Sequence, residues 1–303
     1  MQKNLVIIPT LNAQDTIAKL LEYLIKQNVD ILIIDSSSSD NTLEIVKRYG
    51  VKSMVIPQDS FDHGGTRTLG AKYRNDVDFV IYLTQDALPY NEDSIKNILL
   101  PFKDKEVGAV CGRQVAYPNE GIFGRHLREY NYAKESRVRG YDDRLKYGIK
   151  TPFLSNSFAA YRRSTLEELG FFKDGLIFGE DMYVAARMLQ SGYKVAYEAS
   201  AVVYHSHTYS YMQELRRYFD MGVFHSREDW ILEDFGKAEG EGKKFVFSQF
   251  RFLKEHHKLY LLPSMTIRIA FKLIGYKLGK NHQRLPMFII RALSMHKKWW
   301  NNR

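Results

Sequence analysis

The first hundred residues alternate between short apolar runs and segments whose apolar residues recur at helical spacing. Apolar runs typical of buried strands cover residues 5–8, 31–34, 52–56 and 79–83. Helical spacing covers residues 13–27, 41–49, 65–73 and 94–102. This alternation predicts an α/β fold in which a mixed, mainly parallel sheet lies between helices.

The pattern becomes less regular after residue 107. Residues 120–141 predict a helix over the sheet, residues 180–191 another, and residues 158–161 and 193–204 two further strands. These assignments extend the predicted sheet domain to residue 215.

The last third of the chain has a different composition. Residues 236–244 are rich in glycine and lysine, which predicts a linker. The residues beyond it are basic and apolar at helical spacing. We therefore expect two regions, a sheet domain over residues 1–215 and a basic, mainly helical extension over residues 216–303.

Polar side chains follow the four predicted N-terminal strands where each strand ends. Ligands of open parallel sheets bind in the crevice beyond the carboxyl ends of the strands. We therefore expect one site formed by Thr10, Asn12, Asp35, residues 62–67, Gln85 and Asp86.

Residues 61–67, with the sequence FDHGGTR, combine several groups that could bind a phosphorylated substrate. Gly64 and Gly65 would let the backbone approach a ligand closely, and Arg67 could bind phosphate oxygens in bidentate fashion. A glycine-rich turn that opens a helix, with His63 and Arg67 in solvent, explains the same residues.

Acidic and imidazole side chains offer further candidates, each with a structural alternative. Asp86 could bind a divalent metal on a diphosphate or belong to a turn. In the pair Glu180–Asp181, one acid could orient a substrate while the other acts as general base, or both could interact only with a helix dipole. His205 and His207 share one strand face and could bind a metal or phosphate, or be partly exposed at a strand end.

Asp35 ends a predicted strand beside four serines. Its carboxylate could accept the ring N–H of a pyrimidine, or it could share with Asp40 the capping of the next helix. Both interpretations stay open from the residues alone.

The formal net charge of +9 predicts an anionic partner, such as nucleotide phosphates or an acidic membrane surface. The basic residues are spread and do not alternate with aromatic ones, so we expect no nucleic-acid partner. The single cysteine, Cys111, excludes an intrachain disulfide. Neither a signal peptide nor a run of eighteen uncharged apolar residues occurs, so we expect a cytoplasmic chain without a spanning helix.

Residues 259–303 combine apolar residues at helical spacing with lysine, arginine and the pair Trp299–Trp300. This composition favours a helix that lies in a membrane interface, which would place the chain on the inner face of the membrane. An ordinary helical cap over the sheet, or a contact in a homo-oligomer, accounts for it as well.

Four motifs in this order, PTLN at residues 9–12, IIDSSSSD at 33–40, QDA at 85–87 and GED at 179–181, resemble glycosyltransferase family 2, of the GT-A fold. The resemblance covers about residues 1–210. The FDHGGTR segment is similar to the signature of bacterial rhamnosyltransferases, which use dTDP-L-rhamnose to build cell-wall or O-antigen polysaccharide.

The resemblance implies a role for each matching position. It implies a nucleotide-sugar site that contains Pro9, Thr10, Asn12, Asp35, Ser37, Asp62, Gly65, Arg67, Gln85 and Asp86. It also implies Asp181 as general base beside Glu180, and Mg²⁺ or Mn²⁺ at Asp86, with His205 or His207 near it. Two positions depart from the family pattern: Ala13 replaces a common acid, and the metal motif retains a single carboxylate.

The implied reaction is inverting transfer of L-rhamnose to a saccharide acceptor that is attached to a lipid. Two alternatives remain at this stage: transfer of another sugar from a nucleotide such as UDP, and a nucleotide-binding module without transfer activity.

Overall fold

A computed structural model describes residues 3–236 and 239–301. Its strands are β1 (Asn4–Thr10), β2 (Asp30–Asp35), β3 (Lys52–Val55), β4 (Phe79–Leu83), β5 (Leu88–Pro89), β6 (Val107–Val115), β7 (Arg137–Arg139), β8 (Phe158–Arg162) and β9 (Lys194–Tyr204).

The helices of the sheet domain are α1 (Ile17–Ile25), α2 (Thr42–Arg48), α3 (His63–Lys72), α4 (Ser94–Ile98), α5 (Ile122–Asn131), α6 (Arg144–Tyr147), α7 (Arg163–Glu168) and α8 (Glu180–Gln190). They are followed by α9 (Tyr211–Arg227), α10 (Asp229–Phe235), α11 (Glu239–Glu255), α12 (Leu262–Lys280) and α13 (Met287–Leu293).

The strands form one mixed sheet in the order β3-β2-β1-β4-β8-β6-β9-β5, with β7 also paired to β9. Strands β3, β2, β1 and β4 are parallel, whereas β8 is antiparallel to both of its neighbours. All five residues of β4 are buried, because helices and loops cover both faces of the sheet. The predicted α/β fold with a sheet between helices is confirmed.

The carboxyl ends of the parallel strands are aligned. Thr10, the last residue of β1, is in register with Asp35, the last residue of β2. The backbone N–H of Ile56, just after β3, donates to the carbonyl of Asp35 at 2.8 Å. The polar residues that follow these strands therefore reach one edge of the sheet, as the sequence predicts.

Two predicted segments differ from the structure. The predicted helix over residues 120–141 ends at Asn131, and residues 137–139 form β7 at the edge of the sheet. The predicted linker over residues 236–244 is helical from Glu239 onward, while residues 237 and 238 lie outside the described part. Glycine and lysine in that segment do not prevent a helix, because a tertiary contact outweighs a weak propensity.

The C-terminal helices pack tightly on the rest of the chain. A Cβ atom on Gly275 would lie 2.2 Å from the carbonyl oxygen of Leu215, and one on Gly279 would lie 2.0 Å from that of Phe219. Only glycine allows α12 to approach α9 this closely. The predicted division at residue 215 falls inside α9, and Phe219 and Phe224 belong to the same buried cluster as the sheet.

Candidate active site

The loop after β1 is held against the loop after β2 by buried hydrogen bonds. The hydroxyl of Thr10 donates to Oδ2 of Asp35 at 2.8 Å. Ser38 donates to the same carboxylate through its backbone N–H at 2.8 Å and its hydroxyl at 2.6 Å. Asp35 is fully buried. Its observed contacts hold the two loops together, and a base could reach the carboxylate only if Ser38 moved.

Asn12 and Ser37 adopt left-handed backbone conformations, with φ of 50° and 57°. Such conformations are uncommon outside glycine, and they cluster at ligand-binding sites. Asn12 accepts the N–H of Ser39 at 2.9 Å, and the hydroxyl of Ser37 donates to the carbonyl of Ile56 at 2.8 Å. Pro9 lies in β1 directly before Thr10. These four predicted donor-site residues thus lie together at the end of β1 and β2.

Gln85 connects this region to the end of β4. Its side-chain oxygen accepts the N–H of Leu11 at 2.8 Å, and its amide nitrogen donates to the carbonyl of Leu11 at 3.1 Å. Because both ends of the amide are used, Gln85 positions the loop after β1 beside Asp86.

The glycine-rich segment begins α3. Asp62 caps this helix by accepting the N–H of Gly65 at 2.7 Å, and its other oxygen accepts the N–H of Gly175 at 2.9 Å. A Cβ atom on Gly64 would lie 1.9 Å from the carbonyl oxygen of Lys173. The close approach that Gly64 allows is therefore to the protein's own backbone and not to a ligand, which corrects the interpretation from sequence.

Arg67 is buried at the centre of the fold. Its Nη1 lies 3.2 Å from Oε1 of Glu180 and donates to the carbonyl of His63 at 2.8 Å. The alternative in which Arg67 lies in solvent is wrong, because the side chain is buried and paired with Glu180. The expected binding of Arg67 to phosphate stays a prediction. In the structure, Arg67 holds Glu180, which directly precedes the general-base candidate Asp181.

Glu180 and Asp181 point to different partners, although they are adjacent at the start of α8. Glu180 forms an ion pair with Arg67 and accepts a hydrogen bond from the side-chain amide of Asn156 at 3.0 Å. Asp181 is half-buried and accepts two backbone N–H groups, from Asn156 at 3.1 Å and from Met182 at 2.8 Å. Only Asp181 of the pair is partly exposed.

The two carboxylates differ in acidity for a physical reason. Burial and the neighbouring negative charge of Glu180 raise the pKa of Asp181 to about 7. Burial alone would raise the pKa of Glu180 as well, but the Arg67 cation lowers it overall. Glu180 thus stays ionised, and Asp181 has the proton affinity that suits a general base near neutral pH.

Asp86, His205 and His207 form a cluster that could hold a metal ion. Their ligand atoms all lie within 4.8 Å of one another. Nε2 of His205 lies 3.6 Å from Oδ2 of Asp86, and Nε2 of His207 lies 3.5 Å from it. One carboxylate oxygen and two imidazole nitrogens form a donor set that fits a divalent transition metal.

Gln114, which the sequence pattern does not single out, orients this cluster. Nδ1 of His205 lies 2.8 Å from Oε1 of Gln114, and the amide nitrogen of Gln114 donates to the hydroxyl of Ser155 at 2.9 Å. A hydrogen bond at Nδ1 leaves Nε2 free to face Asp86 and a metal, the usual arrangement around ligating histidines. Since Ser155 precedes Asn156, Gln114 also links the metal cluster to Asp181.

Arg217 on α9 is a second residue that sequence reasoning missed. Its guanidinium lies 5.1 Å from the ring centre of Phe178 and 5.7 Å from that of Tyr209. Burial is the main cause of the lowered pKa of His205 and of His63, and the charge of Arg217 adds to the lowering in both. Arg217 is half-buried, and no carboxylate in residues 3–236 or 239–301 pairs with it.

The C-terminal segment returns to the glycine-rich loop. The ring of His296 lies 5.1 Å from that of His63 in an edge-to-face contact. Lys298 lies 3.1 Å from Asp59, and the indole N–H of Trp299 donates to the carbonyl of Gly175 at 3.2 Å. The end of the extension therefore packs against the glycine-rich loop.

Contacts join the predicted site residues at the ends of three strands, β1, β2 and β4. Asp35 contacts Thr10, and the next residue, Leu11, binds Gln85. Asp86 faces His205, and His205 binds Gln114. Gln114 in turn binds Ser155, and the next residue, Asn156, donates its backbone N–H to Asp181. The roles of the single residues stay predictions, and Arg67, which follows β3, is linked to this network through its ion pair with Glu180.

The glycosyl transferase family 2 model matches residues 5–170, which is more than half of the chain and contains β1 to β4 with their loops. The chain belongs to glycosyl transferase family 2. Among its curated relatives, the O-antigen chain rhamnosyltransferase WbaN of Salmonella anatum is 46% identical over 91% of this chain and 87% of its own length. The O-antigen chain rhamnosyltransferase RfbN of Salmonella typhimurium is 44% identical over 98% and 95%.

Solved structures confirm the fold of this family member. A mannosyltransferase from Pyrobaculum calidifontis, in complex with GDP-Man and Mn²⁺, has a TM-score of 0.60 and 18% identity, and the match covers 99% of this chain and 88% of that one. TarS residues 1–349 of S. aureus, in complex with UDP-GlcNAc, has a TM-score of 0.56 and 15% identity, over 93% and 92%. Both matches include the C-terminal region and not the sheet alone.

Among the described residues of this glycosyltransferase, no helix is both long enough and apolar enough to cross a membrane.

Proposed function

We propose that this chain is an inverting rhamnosyltransferase that transfers L-rhamnose from dTDP-L-rhamnose to a saccharide acceptor in polysaccharide synthesis. The single observation that best supports it is the partly exposed Asp181, which is held by two backbone N–H groups and linked through Asn156, Ser155 and Gln114 to a cluster fit for a metal. The two rhamnosyltransferase relatives, each aligned over nearly the whole chain, support the choice of sugar.

Asp181 takes the proton from the acceptor hydroxyl as this oxygen attacks the anomeric carbon. The two backbone N–H groups that it accepts fix the orientation of its carboxylate. Glu180 does not compete for this proton, because its charge is held by Arg67 and Asn156. Removing a general base typically lowers the rate about 10²- to 10⁴-fold.

Negative charge grows on the nucleoside diphosphate as it leaves, and cations in the cleft stabilise that charge. Arg217, near Phe178 and Tyr209, is not paired with a carboxylate among the described residues, and we assign it to the diphosphate in place of Arg67. A divalent ion held by Asp86, His205 and His207 would supply further positive charge there. Two imidazole ligands favour Mn²⁺ over Mg²⁺, which prefers oxygen ligands.

A donor panel tests this function. Purified protein with Mn²⁺ is incubated with dTDP-L-rhamnose, UDP-glucose, UDP-N-acetylglucosamine and GDP-mannose, and release of the nucleotide is measured. The proposal predicts turnover of dTDP-L-rhamnose well above that of the others. Preferred turnover of a UDP sugar would replace rhamnose by the alternative donor class, and tight dTDP binding without any turnover would favour a binding module.

The C-terminal helices further suggest contact with an anionic membrane surface, where an acceptor linked to a lipid would be reached. Phe247 on α11 and Tyr260 after it are 75% and 70% exposed. Arg251, Lys254 and Lys258 follow Phe247 at helical spacing and are exposed. Exposed aromatic residues beside basic ones are typical of interfacial helices. The same surface could instead be a contact in a homo-oligomer.

Co-sedimentation with vesicles distinguishes these two interpretations. The double variant Phe247→Ser/Tyr260→Ser should lose binding to phosphatidylglycerol vesicles, whereas Leu145→Ser, at a residue that is 87% exposed on α6, should bind as the wild type does. Equal binding of all three proteins to the vesicles would contradict membrane contact through Phe247 and Tyr260. A lower molecular mass of the double variant in solution would favour a homo-oligomer contact at this surface.

A further inference from the structure

A cavity of about 500 Å³ is bordered by Gln114, whose side chain also contacts His205 of the metal cluster. The end of β6 and the helix α5 form its walls. Its lining includes four cationic side chains and one carboxylate: Arg113, Arg125, Arg128 and Lys134 against Glu129. The site described above does not use this cavity.

The four cations of the cavity have no anionic partner within the described residues. None of them takes part in an ion pair there. The Nε atoms of Arg113 and Arg128 are buried and lack a hydrogen-bond acceptor. An unsatisfied buried donor is costly, and arginine is the side chain best suited to bidentate recognition of phosphate. A net charge of plus three in the lining of this cavity therefore indicates an anionic ligand.

The cavity opens beside the reaction centre. Oε1 of Gln114 accepts both from Nη1 of Arg128, on the cavity wall, and from His205, in the metal cluster. The amide of Gln114 binds Ser155, directly before the residue whose N–H holds Asp181. A ligand in the cavity would thus lie next to the general-base candidate, where the proposed function requires the acceptor.

A second wall residue supports this proximity. Burial raises the pKa of Tyr132 to about 12, and the negative charge of Asp181 adds to that increase. Tyr132 also lies beneath the guanidinium of Arg128, 5.7 Å from its ring centre. The aromatic ring and the cations together form a surface for a charged group attached to a sugar.

We propose that this cavity binds a phosphate or diphosphate group of the acceptor, so that the acceptor hydroxyl lies at Asp181. This inference rests on the proposed transferase function, because it concerns the second substrate of that reaction. The group could belong to a lipid-linked saccharide or to a soluble sugar phosphate, and the two sources differ in whether an apolar chain adds affinity.

Binding measured by calorimetry tests the cavity directly. Farnesyl diphosphate, inorganic pyrophosphate and farnesol serve as probes, each with and without saturating dTDP. The variant Arg113→Gln/Lys134→Gln removes two cations that donate no hydrogen bond within the described residues, so the fold should be retained. The matched control Arg48→Gln/Lys105→Gln removes one arginine and one lysine from exposed positions elsewhere.

Farnesyl diphosphate should bind the wild type and the control equally, with or without dTDP, and the cavity variant at least about tenfold more weakly. Inorganic pyrophosphate that binds as tightly as farnesyl diphosphate would identify a soluble phosphate source. Equal affinity of the cavity variant and the control, or farnesol that binds as tightly as its diphosphate, would overturn the proposal. If dTDP itself failed to bind, that result would count against the proposed transferase function. The comparison of the cavity variant with the control in the absence of dTDP would still test the cavity.

Discussion

Arg67 and Glu180 form a buried ion pair in which Nη1 and Oε1 are 3.2 Å apart and each side chain is 7% exposed. This pair connects the glycine-rich loop to the start of α8. It keeps Glu180 ionised, and the charge of Glu180 in turn raises the pKa of Asp181. The signature loop thus influences the acidity of the general-base candidate without contacting it.

The first prediction concerns the stability of this pair. Arg67→Met leaves Glu180 charged and buried without its cation, so the free energy of unfolding should fall by about 3 kcal/mol or more. Chemical denaturation measures the change. The double variant Arg67→Met/Glu180→Gln should lose less than the sum of the two single variants, since the charge left behind is removed. Additive losses would show that the pair does not interact.

The second prediction concerns pH. Asp181 must be ionised to accept a proton, and its pKa in the folded protein is raised to about 7. The value of kcat/KM should therefore fall about tenfold for each pH unit below 7 and reach a plateau above it. Glu180→Gln removes the charge that raises this pKa, so the acid limb should move to lower pH. A limb that stays in place in Glu180→Gln would contradict the coupling of the two carboxylates.

The third prediction concerns the metal cluster. His207→Ala removes a proposed ligand and should weaken binding of Mn²⁺, measured by electron paramagnetic resonance of the free ion. Gln114→Met removes the hydrogen bond to Nδ1 of His205 and should weaken binding about 10- to 100-fold, the usual effect of a residue that orients a ligand. His256→Ala, at an exposed position on the C-terminal side of α11, is the control. Unchanged affinity in His207→Ala would exclude this histidine as a ligand.

The fourth prediction concerns Arg217. If it stabilises the leaving diphosphate, Arg217→Gln should lower kcat about 10²-fold or more, as the loss of a preorganised electrostatic contact typically does. Arg48→Gln, which removes an exposed guanidinium at the end of α2, should have the activity of the wild type. A change confined to thermal stability in Arg217→Gln would instead assign this residue to packing against Phe178 and Tyr209.

The sequence predicts the parallel part of the sheet because its strands are continuous apolar runs that end in polar residues. Both features can be recognised from neighbouring residues, without knowledge of the folded chain. The same pattern brings Thr10, Asp35 and Asp86 to one edge. It does not predict Gln114 or Arg217, because a lone polar residue in a strand or helix has no spacing signal until the chain is folded. The sequence does not predict the contact between His63 and His296 either, because the two residues lie 233 positions apart in the chain.

Burial explains why Gly64 and Arg67 contact the protein itself, which the sequence does not predict. A loop rich in glycine and charge resembles a phosphate-binding loop whether its groups face a ligand or the protein. Here Gly64 faces the carbonyl of Lys173, and Arg67 faces Glu180. Only the folded chain distinguishes a cation that is already neutralised from one, such as Arg217, that is available.

Transfer by Asp181→Asn, measured with dTDP-L-rhamnose and an acceptor, tests the central claim most directly. The amide has nearly the same shape and can still accept the N–H groups of Asn156 and Met182 in part, but it cannot take a proton. The account predicts a fall in kcat of about 10²- to 10⁴-fold with dTDP affinity unchanged. Turnover equal to that of the wild type would contradict the assignment of Asp181 as the general base.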